Sequence, residues 1–575
     1  MDNRVSAREG LVAATLALVA VSIAWMIAAH YGVVGIPRND DWVYYRAAFH
    51  FADTHSFEPE SSSAILIGLV LLAYPIIRFF GDSIIALQLL VAALGAVGLW
   101  SSYMLARGFL SGRSAAIAVT ILAVGPMFGN LTVSFMTDVP AFALQIITLL
   151  LGAQAMKRTG HFMLLWLGLA LAVGLLAFSI REYALAAGAT VAIVGLHKCW
   201  FEDRHTLRQA MALTAAWAAV VVVLYLWRQS VPNANHVAGS PQGPEIIIGY
   251  SWLALQTMAI LVAPVVFFLA PKRVAEDLAK VPRLIWLVPL AATGAVVVLR
   301  SFLGLKSGQM VFLGNYFSFK VPYAAATSGI SPQVIPEFVM DVLMYASQAG
   351  TVILIILLGV WLRRCWSGTA TARAASGDRS LVLVGTYLGV TVLGFLAVLI
   401  LTRSALLDRY LLAATPLLAA LLLYAMIGLG WVSSYSRRLG VFSLAPFAVM
   451  GLFYVDLAAS FDAGKWKFDN AIVDLGFTAA TIDGGYEWFG IHQSDAWRPR
   501  NRMAGESWWV AQFSKRPVCV WVRFDDGSDP VPGEMVIARR EIRGIAGRFA
   551  VLAAMTRIEP PEGCPANSRA GASDE

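Results

Sequence analysis

The chain has 575 residues, 58% of them hydrophobic and only 14% charged, and its mean hydropathy is +0.68. That balance lies outside the range of soluble domains, so the chain reads as a membrane protein. A formal net charge of +7 does not point to nucleic acid, because the Lys and Arg residues sit in short clusters between apolar runs, as the positive-inside rule places them.

The first apolar run, 9–30, follows Arg4 and Arg8 and is long enough for a full crossing, so it reads as a retained signal anchor with a cytoplasmic N-terminus. Further runs cover 84–106, 114–130, 139–156, 162–180, 183–198, 209–227, 249–270, 284–300, 338–362, 381–401, 410–429 and 440–458, thirteen spans in all. With each crossing once, the inner loops are "RGFLSGR", "MKRTG", "HKCWFEDRHTLR", "PKRVAEDLAKVPR", "RRCWSGTATARAASGDR" and "SYSRR". All are short and basic, as an inner face requires. The run 64–80, "AILIGLVLLAYPIIRFF", is apolar enough to cross, but counting it would invert every later loop. It is expected to be a juxtamembrane or re-entrant helix, which Pro75 and Arg78 suit.

The outer segments are then 31–83, 131–138, the turn at 181, 229–248, 301–337, 402–409 and everything after 458. In the first, "GIPRNDDWVYYRAAF" places Asp40 and Asp41 before Trp42, Tyr45 and Phe49, which share one face of a helix expected to lie on the bilayer surface. Either acid could serve as a helix cap. Asp138, before Pro140 in "SFMTDVPAF", has the same alternative. Arg181 and Glu182 in "FSIREYAL" stand between two apolar runs, where charge is costly unless paired or used. Arg403, Asp408, Arg409 and Tyr410 stand at the outer mouth of a later span, and Arg is suited to bidentate phosphate binding. Lys306 and Lys320, in the long 301–337 loop, read as solvated.

After 458 the sequence turns polar, with β-like runs "PVCVWVRF" and "EMVIARREI" separated by "DDGSDPVPG". This is expected to be a small α/β extracytoplasmic domain ending in a disordered tail. Of the four cysteines, Cys519 and Cys564 both fall in it, and a disulfide between them is one option the spacing leaves open. No zinc pattern is present. No internal repeat is visible, which weighs against repeat-built transporters.

The motifs "NDDWVYY", "FGDSIIALQLLVAALGAVGLWSSYMLARGFLSGR", "SFMTDVPAF", "LLDRYLLAATPLLAALLL" and "TIDGGYEWFG", the last with Gly485, Tyr486 and Trp488, resemble those of the GT-C integral-membrane glycosyltransferases, of the protein O-mannosyltransferase and aminoarabinose lipid A transferase type. The resemblance implies an α-helical polytopic fold of about thirteen transmembrane helices over 1–458, with juxtamembrane helices in the first outer loop 31–83, and an outside domain over 459–575. It also implies a hexosyl- or pentosyltransferase of the plasma or inner membrane, moving a sugar from a polyprenyl-phosphate donor to a hydroxyl of an envelope glycan, lipid or protein. Asp40, with Asp41 beside it as alternative, would be the base. Asp138 would bind acceptor or metal, and Arg409, Arg403 and Arg181 the donor phosphate. Tyr44, Tyr410 and Glu182 would line the pocket. The oxygen donors of Asp40, Asp41 and Asp138 suit Mg²⁺ or Mn²⁺, and a metal-independent route fits equally. The first loop has "PESSSAILIGL" where the aminoarabinose transferases carry a Lys-Pro-Pro-Leu-like stretch, which weighs against lipid A modification. The competing classes are a transporter or flippase for a lipid or small solute, and a non-catalytic assembly or sensor protein.

Overall fold

The computed structural model describes residues 6–59, 64–231, 243–302, 313–323, 326–366, 379–401, 406–493, 507–514, 518–530, 532–559 and 564. Arg403, Lys306 and the expected disordered tail after 564 lie outside the described residues.

Among the described residues nine helices are long and apolar enough to cross a membrane, which makes this a multi-pass membrane protein. The thirteen spans expected from sequence are reached only if four of the five shorter apolar helices cross as well. Asp138–Met156 lies at the centre and packs against Ile84–Ala106, Gly160–Ile180, Leu185–Phe201 and Arg379–Leu401. Most of it is buried, whereas almost none of Leu207–Ser230 is. Small residues set the close approaches: a Cβ on Gly174 would stand 3.1 Å from Gly188 Cα, so two helices meet almost backbone to backbone.

The segment 64–80 forms Ile67–Phe80, a helix of 14 residues with Pro75 inside it. At 1.5 Å per residue it is roughly 21 Å long, short of the ~30 Å hydrocarbon core. Its N-terminal end is pinned by Leu66 N–H donating to Ile180 O at 3.4 Å.

Two expectations are corrected. The helix Asp41–Thr54 does not present its aromatic face to the bilayer. Trp42 and Tyr45 are fully buried: Tyr45 stacks on Phe135 at 5.0 Å, and a later segment covers Trp42, which packs edge-on against Tyr486 at 5.3 Å and Phe513 at 5.1 Å. Arg46 Nη1 donates to the carbonyls of Gly490 and Gln493, both at 3.0 Å. The last expected span also does not end at 458, since one helix runs unbroken from Leu444 to Asp474. Its second half carries Asp462, Lys465 and Asp469, all fully buried, so it serves the outer part of the fold as well as the membrane part.

The outer sheet contains β1 (Ile482–Asp483), β2 (Val520–Phe524), β3 (Glu534–Gly544) and β4 (Gly547–Arg557), in the order β1-β2-β4-β3, with only the β1–β2 pair parallel. The burial of β2 alternates strictly, as a strand with one face on a core should. Its core includes Phe461, Phe468, Val520, Val522 and Leu552, so the long helix and the sheet share one apolar cluster. Cys519 and Cys564 form a disulfide, with Cα atoms 5.5 Å apart. Asp456 joins this part to the first span: one oxygen accepts from Tyr31 Oη at 2.6 Å and the other from the Ile545 N–H at the β3–β4 turn at 3.0 Å.

The contact between Trp42 and the 486–492 helix tolerates no added volume, because a Cβ on Gly490 would lie 2.3 Å from the Trp42 ring. Gly490→Val should therefore lower stability by about 1–3 kcal/mol and loosen the outer part. Limited proteolysis in detergent would report faster cleavage within 484–514, and an unchanged pattern would contradict the packing.

Candidate functional site

The sequence "RNDD" divides its side chains among three partners because Asn39 adopts φ 53°, a left-handed conformation that Asn tolerates better than most residues. Arg38 points into the fold. Its Nε lies 2.6 Å from Asp462 Oδ2, and its Nη2 donates to Asn130 Oδ1 at 2.7 Å and Tyr323 Oη at 3.0 Å. Asp41 is fully buried, and its carboxylate accepts the N–H of Arg38 at 2.5 Å and of Phe135 at 3.3 Å. Burial pushes its carboxyl well above the usual range, with those two donors opposing. Asp40 turns the other way. It stands at the N-terminus of its helix but caps nothing with its side chain. Instead it pairs with Arg409 Nη2 at 3.3 Å, and a third of its side chain remains exposed.

Arg409 then leads to the rest of the site. Its Nε lies 3.8 Å from Asp138 Oδ1. Its guanidinium sits 5.9 Å from the Tyr410 ring centroid and 6.0 Å from that of Tyr316. Asp138 likewise opens a helix without capping it. It accepts from Tyr183 Oη at 3.0 Å and has Arg181 Nη2 at 4.0 Å. Arg181 occupies an extended break between two helices. There its Nε donates to Thr137 Oγ1 at 2.5 Å, its Nη2 to Tyr44 Oη at 3.3 Å, and Tyr410 lies 6.0 Å from the guanidinium.

Six residues expected from the sequence therefore converge: Asp40, Asp138, Arg181, Arg409, Tyr44 and Tyr410. Tyr183, Tyr316 and Thr137 join them. Only the adjacency of Tyr183 to Arg181 and Glu182 in "REY" could have suggested any of the three. Two expected pocket or catalytic residues are engaged otherwise. Asp41 spends its oxygens on backbone N–H groups and ties the first loop to the 131–138 loop. Glu182 stands beside Arg181 and also interacts with Arg228 and the Ile65 N–H, while Arg228 Nε donates to Ala64 O at 3.0 Å, so the two side chains link the site to the 64–66 segment. Lys320 is exposed, as expected.

Two carboxylates and two guanidiniums roughly offset one another in charge. The hydrogen bonding is not offset: Arg409 Nε and Nη1 and Asp138 Oδ2 are buried without hydrogen-bond partners among the described residues. Such donors are costly to leave unmade, and they adjoin the one carboxylate of the group that reaches solvent. The expected metal set does not fit. Asp41 faces backbone donors and Asp138 faces two guanidiniums, so the three carboxylates do not turn toward a common point, and no step is assigned to a metal. Among the described residues no group of three His, Cys, Asp or Glu side chains is placed to hold one.

Asp408 positions the arginine. Its Oδ2 accepts from the N–H of Tyr316 at 3.0 Å and Phe317 at 2.6 Å, and its Oδ1 from Arg409 N–H at 2.7 Å. It thereby fastens the 313–323 loop beneath the site.

Residues 69–230 match the model of the dolichyl-phosphate-mannose-protein mannosyltransferase family. That stretch includes Asp138 and Arg181 but neither Asp40 nor Arg409. The match bears out the resemblance to GT-C membrane glycosyltransferases drawn from the motifs. No curated protein matches the chain. Among solved structures, the chain is similar to the Archaeoglobus fulgidus oligosaccharyltransferase in complex with Zn and sulfate (13% identity, TM-score 0.39), covering 78% of this chain and 55% of that one. It is also similar to ArnT from Cupriavidus metallidurans bound to undecaprenyl phosphate (14%, TM-score 0.37, 94% of this chain and 98% of that one). The Mycobacterium smegmatis arabinosyltransferase EmbB is another (12%, TM-score 0.31, 77% and 40%). The chain thus spans about half the length of the oligosaccharyltransferase.

Burial raises the Asp408 carboxyl to about 6. A carboxyl raised on folding favours the protonated native state, so its contribution is complete below the ordinary value near 4 and is lost as pH rises through about 6. The stability of the wild type, followed by intrinsic fluorescence on heating, should fall by about 2–3 kcal/mol across that window from this group. Asp408→Asn, which cannot ionise, should lack that component; an identical pH profile would refute the assignment.

Proposed function

We propose that the protein transfers a sugar from a polyprenyl-phosphate donor to an acceptor hydroxyl at the outer face of the membrane. The observation that supports this most is the buried Arg409, with two nitrogens that have no hydrogen-bond partner among the described residues, beside the one-third-exposed Asp40. An anion of phosphate geometry matches those donors, and binding it at the mouth of a span leaves a polyprenyl chain in lipid. The basic loops on the opposite side, and a disulfide of the kind that persists in oxidising compartments, support a cytoplasmic N-terminus and an extracytoplasmic C-terminal part.

In this reading the donor phosphate takes the free Arg409 N–H groups, with Arg181 completing the positive wall. Competition for Arg409 releases Asp40 from its ion pair. Asp40 then accepts the proton of the acceptor hydroxyl as its oxygen attacks the anomeric carbon. The bond from that carbon to the phosphate oxygen breaks, the electron pair leaves with the polyprenyl phosphate, and the configuration inverts. The guanidiniums hold the negative charge that grows on the leaving phosphate. Asp138 holds Arg181 and Arg409 in register, and Tyr183, Tyr410 and Tyr44 wall the cleft. The outer part after the last span roofs the site through Trp42 and Tyr486, so that attack occurs away from bulk water. The acceptor is a hydroxyl of an envelope glycan, lipid or protein.

Purified protein in nanodiscs, given radiolabelled polyprenyl-phosphate sugars and a membrane extract, tests the reading. Asp40→Asn should cut transfer by about 10²–10⁴-fold with the fold intact. Arg409→Gln should cut it by about 10²–10³-fold. Wild-type transfer by a folded Asp40→Asn protein would remove Asp40 as base.

A further inference from the structure

A second cleft, with a volume of about 360 Å³, opens at the other end of the first span, between Ala7–Tyr31, Ile84–Ala106 and Gly112–Ala123. Its wall is graded in polarity. The mouth carries Arg8, Glu9, Gly112 and Arg113, and the interior is lined by residues such as Leu16, Ala17, Leu99, Ala116 and Val119.

Three independent features make the mouth attractive to an anion. First, Glu9 is already engaged: its carboxylate closes a capping box with Ser6 and lies 3.4 Å from Arg107 Nη2. Arg8 and Arg113 form no ion pair among the described residues, so the positive charge there is uncompensated. Second, two helix N-termini, at Ala7 and Gly112, end at this mouth, and their dipoles favour negative charge. Third, Arg107 is 7% exposed and its Nε has no hydrogen-bond partner among the described residues. It stands behind the mouth: a Cβ on Gly112, which lines the cleft, would lie 3.3 Å from Tyr103 Oη, 3.4 Å from a Glu9 oxygen and 3.5 Å from that Nε.

We propose that this cleft is a binding site for one anionic phospholipid of the inner leaflet, its phosphate at Arg8 and Arg113 and an acyl chain between the three helices. The apolar wall excludes a purely ionic ligand, and the basic mouth lies level with the "RGFLSGR" loop, at the depth of the headgroups. Gly112–Ala123 supplies roughly 18 Å of wall along the chain direction. The site is far along the first helix from the Asp40–Arg409 cluster and does not depend on the transfer reaction, so the two readings fail separately.

Native mass spectrometry of delipidated protein, offered phosphatidylglycerol and phosphatidylcholine at equal concentration, provides the test. One phosphatidylglycerol should be retained in preference. Arg8→Gln and Arg113→Gln should each weaken retention roughly fivefold, and Thr120→Trp, which fills the cleft, should reduce it further. Equal retention of the two lipids would overturn the proposal. So would retention unchanged in both arginine variants, or displacement of the lipid by millimolar inorganic phosphate alone. The arginine substitutions decide the matter if the tryptophan variant does not fold.

Discussion

A guanidinium removed from water must be surrounded by acceptors, and three such groups organise this protein. Arg38, Arg181 and Arg409 are each 5% exposed or less. Arg38 gathers the first outer loop, the 128–131 turn, the 313–323 loop and the long last helix around one charge, through Asn130, Tyr323 and Asp462. Because an unpaired buried charge is far costlier than a paired one, these four distant segments are held to a single relative placement. The other two arginines inherit their positions from it, since Asp40 is two residues from Arg38 and is the group that meets Arg409.

The three arginines differ in how fully the described residues satisfy them. Arg38 has every nitrogen accounted for by a neighbour on the protein, which suits a fixed joint. Arg409 has two buried nitrogens unmatched among the described residues, which suits a binding group that waits for a ligand. The same contrast separates Asp41, enclosed by backbone N–H groups, from Asp40, which keeps an exposed oxygen. A one-residue difference in a kinked loop separates an enclosed carboxylate from one that reaches solvent. Roofing the pair with the Tyr486–His492 helix adds a dry wall whose one carboxylate, Glu487, is already paired with Lys465, so the electrostatic interactions inside are strengthened rather than screened.

Where the sequence reading departed from the structure, long-range packing was responsible. Trp42, Tyr45 and Phe49 do share a helix face, but local periodicity cannot tell a bilayer from a protein surface elsewhere in the chain: Phe135 covers Tyr45, and a segment more than 400 residues later covers Trp42. The last helix passes 458 without a break because Asp462, Lys465 and Asp469, polar enough to signal an exit from the membrane, find buried partners or surroundings in the outer part, as Lys465 does with Glu487. Composition in a window reports the solvent a segment prefers on its own, and a tertiary contact can replace that solvent.

By itself the sequence determined the membrane class, a helix at 64–80 set apart from the spans, two of the four strands after the last span and the set of polar residues that gather at one end of the bundle. Each of these follows from hydropathy, charge placement or spacing within a few turns. Only the tertiary structure decided which acids face the cleft, that Glu182 links the site to the 64–66 segment, and that Tyr183 and Tyr316 belong with the arginines. Those assignments depend on which buried donor meets which acceptor across hundreds of residues. The free energy of a buried charge is set by its three-dimensional neighbours and leaves no local pattern in the chain.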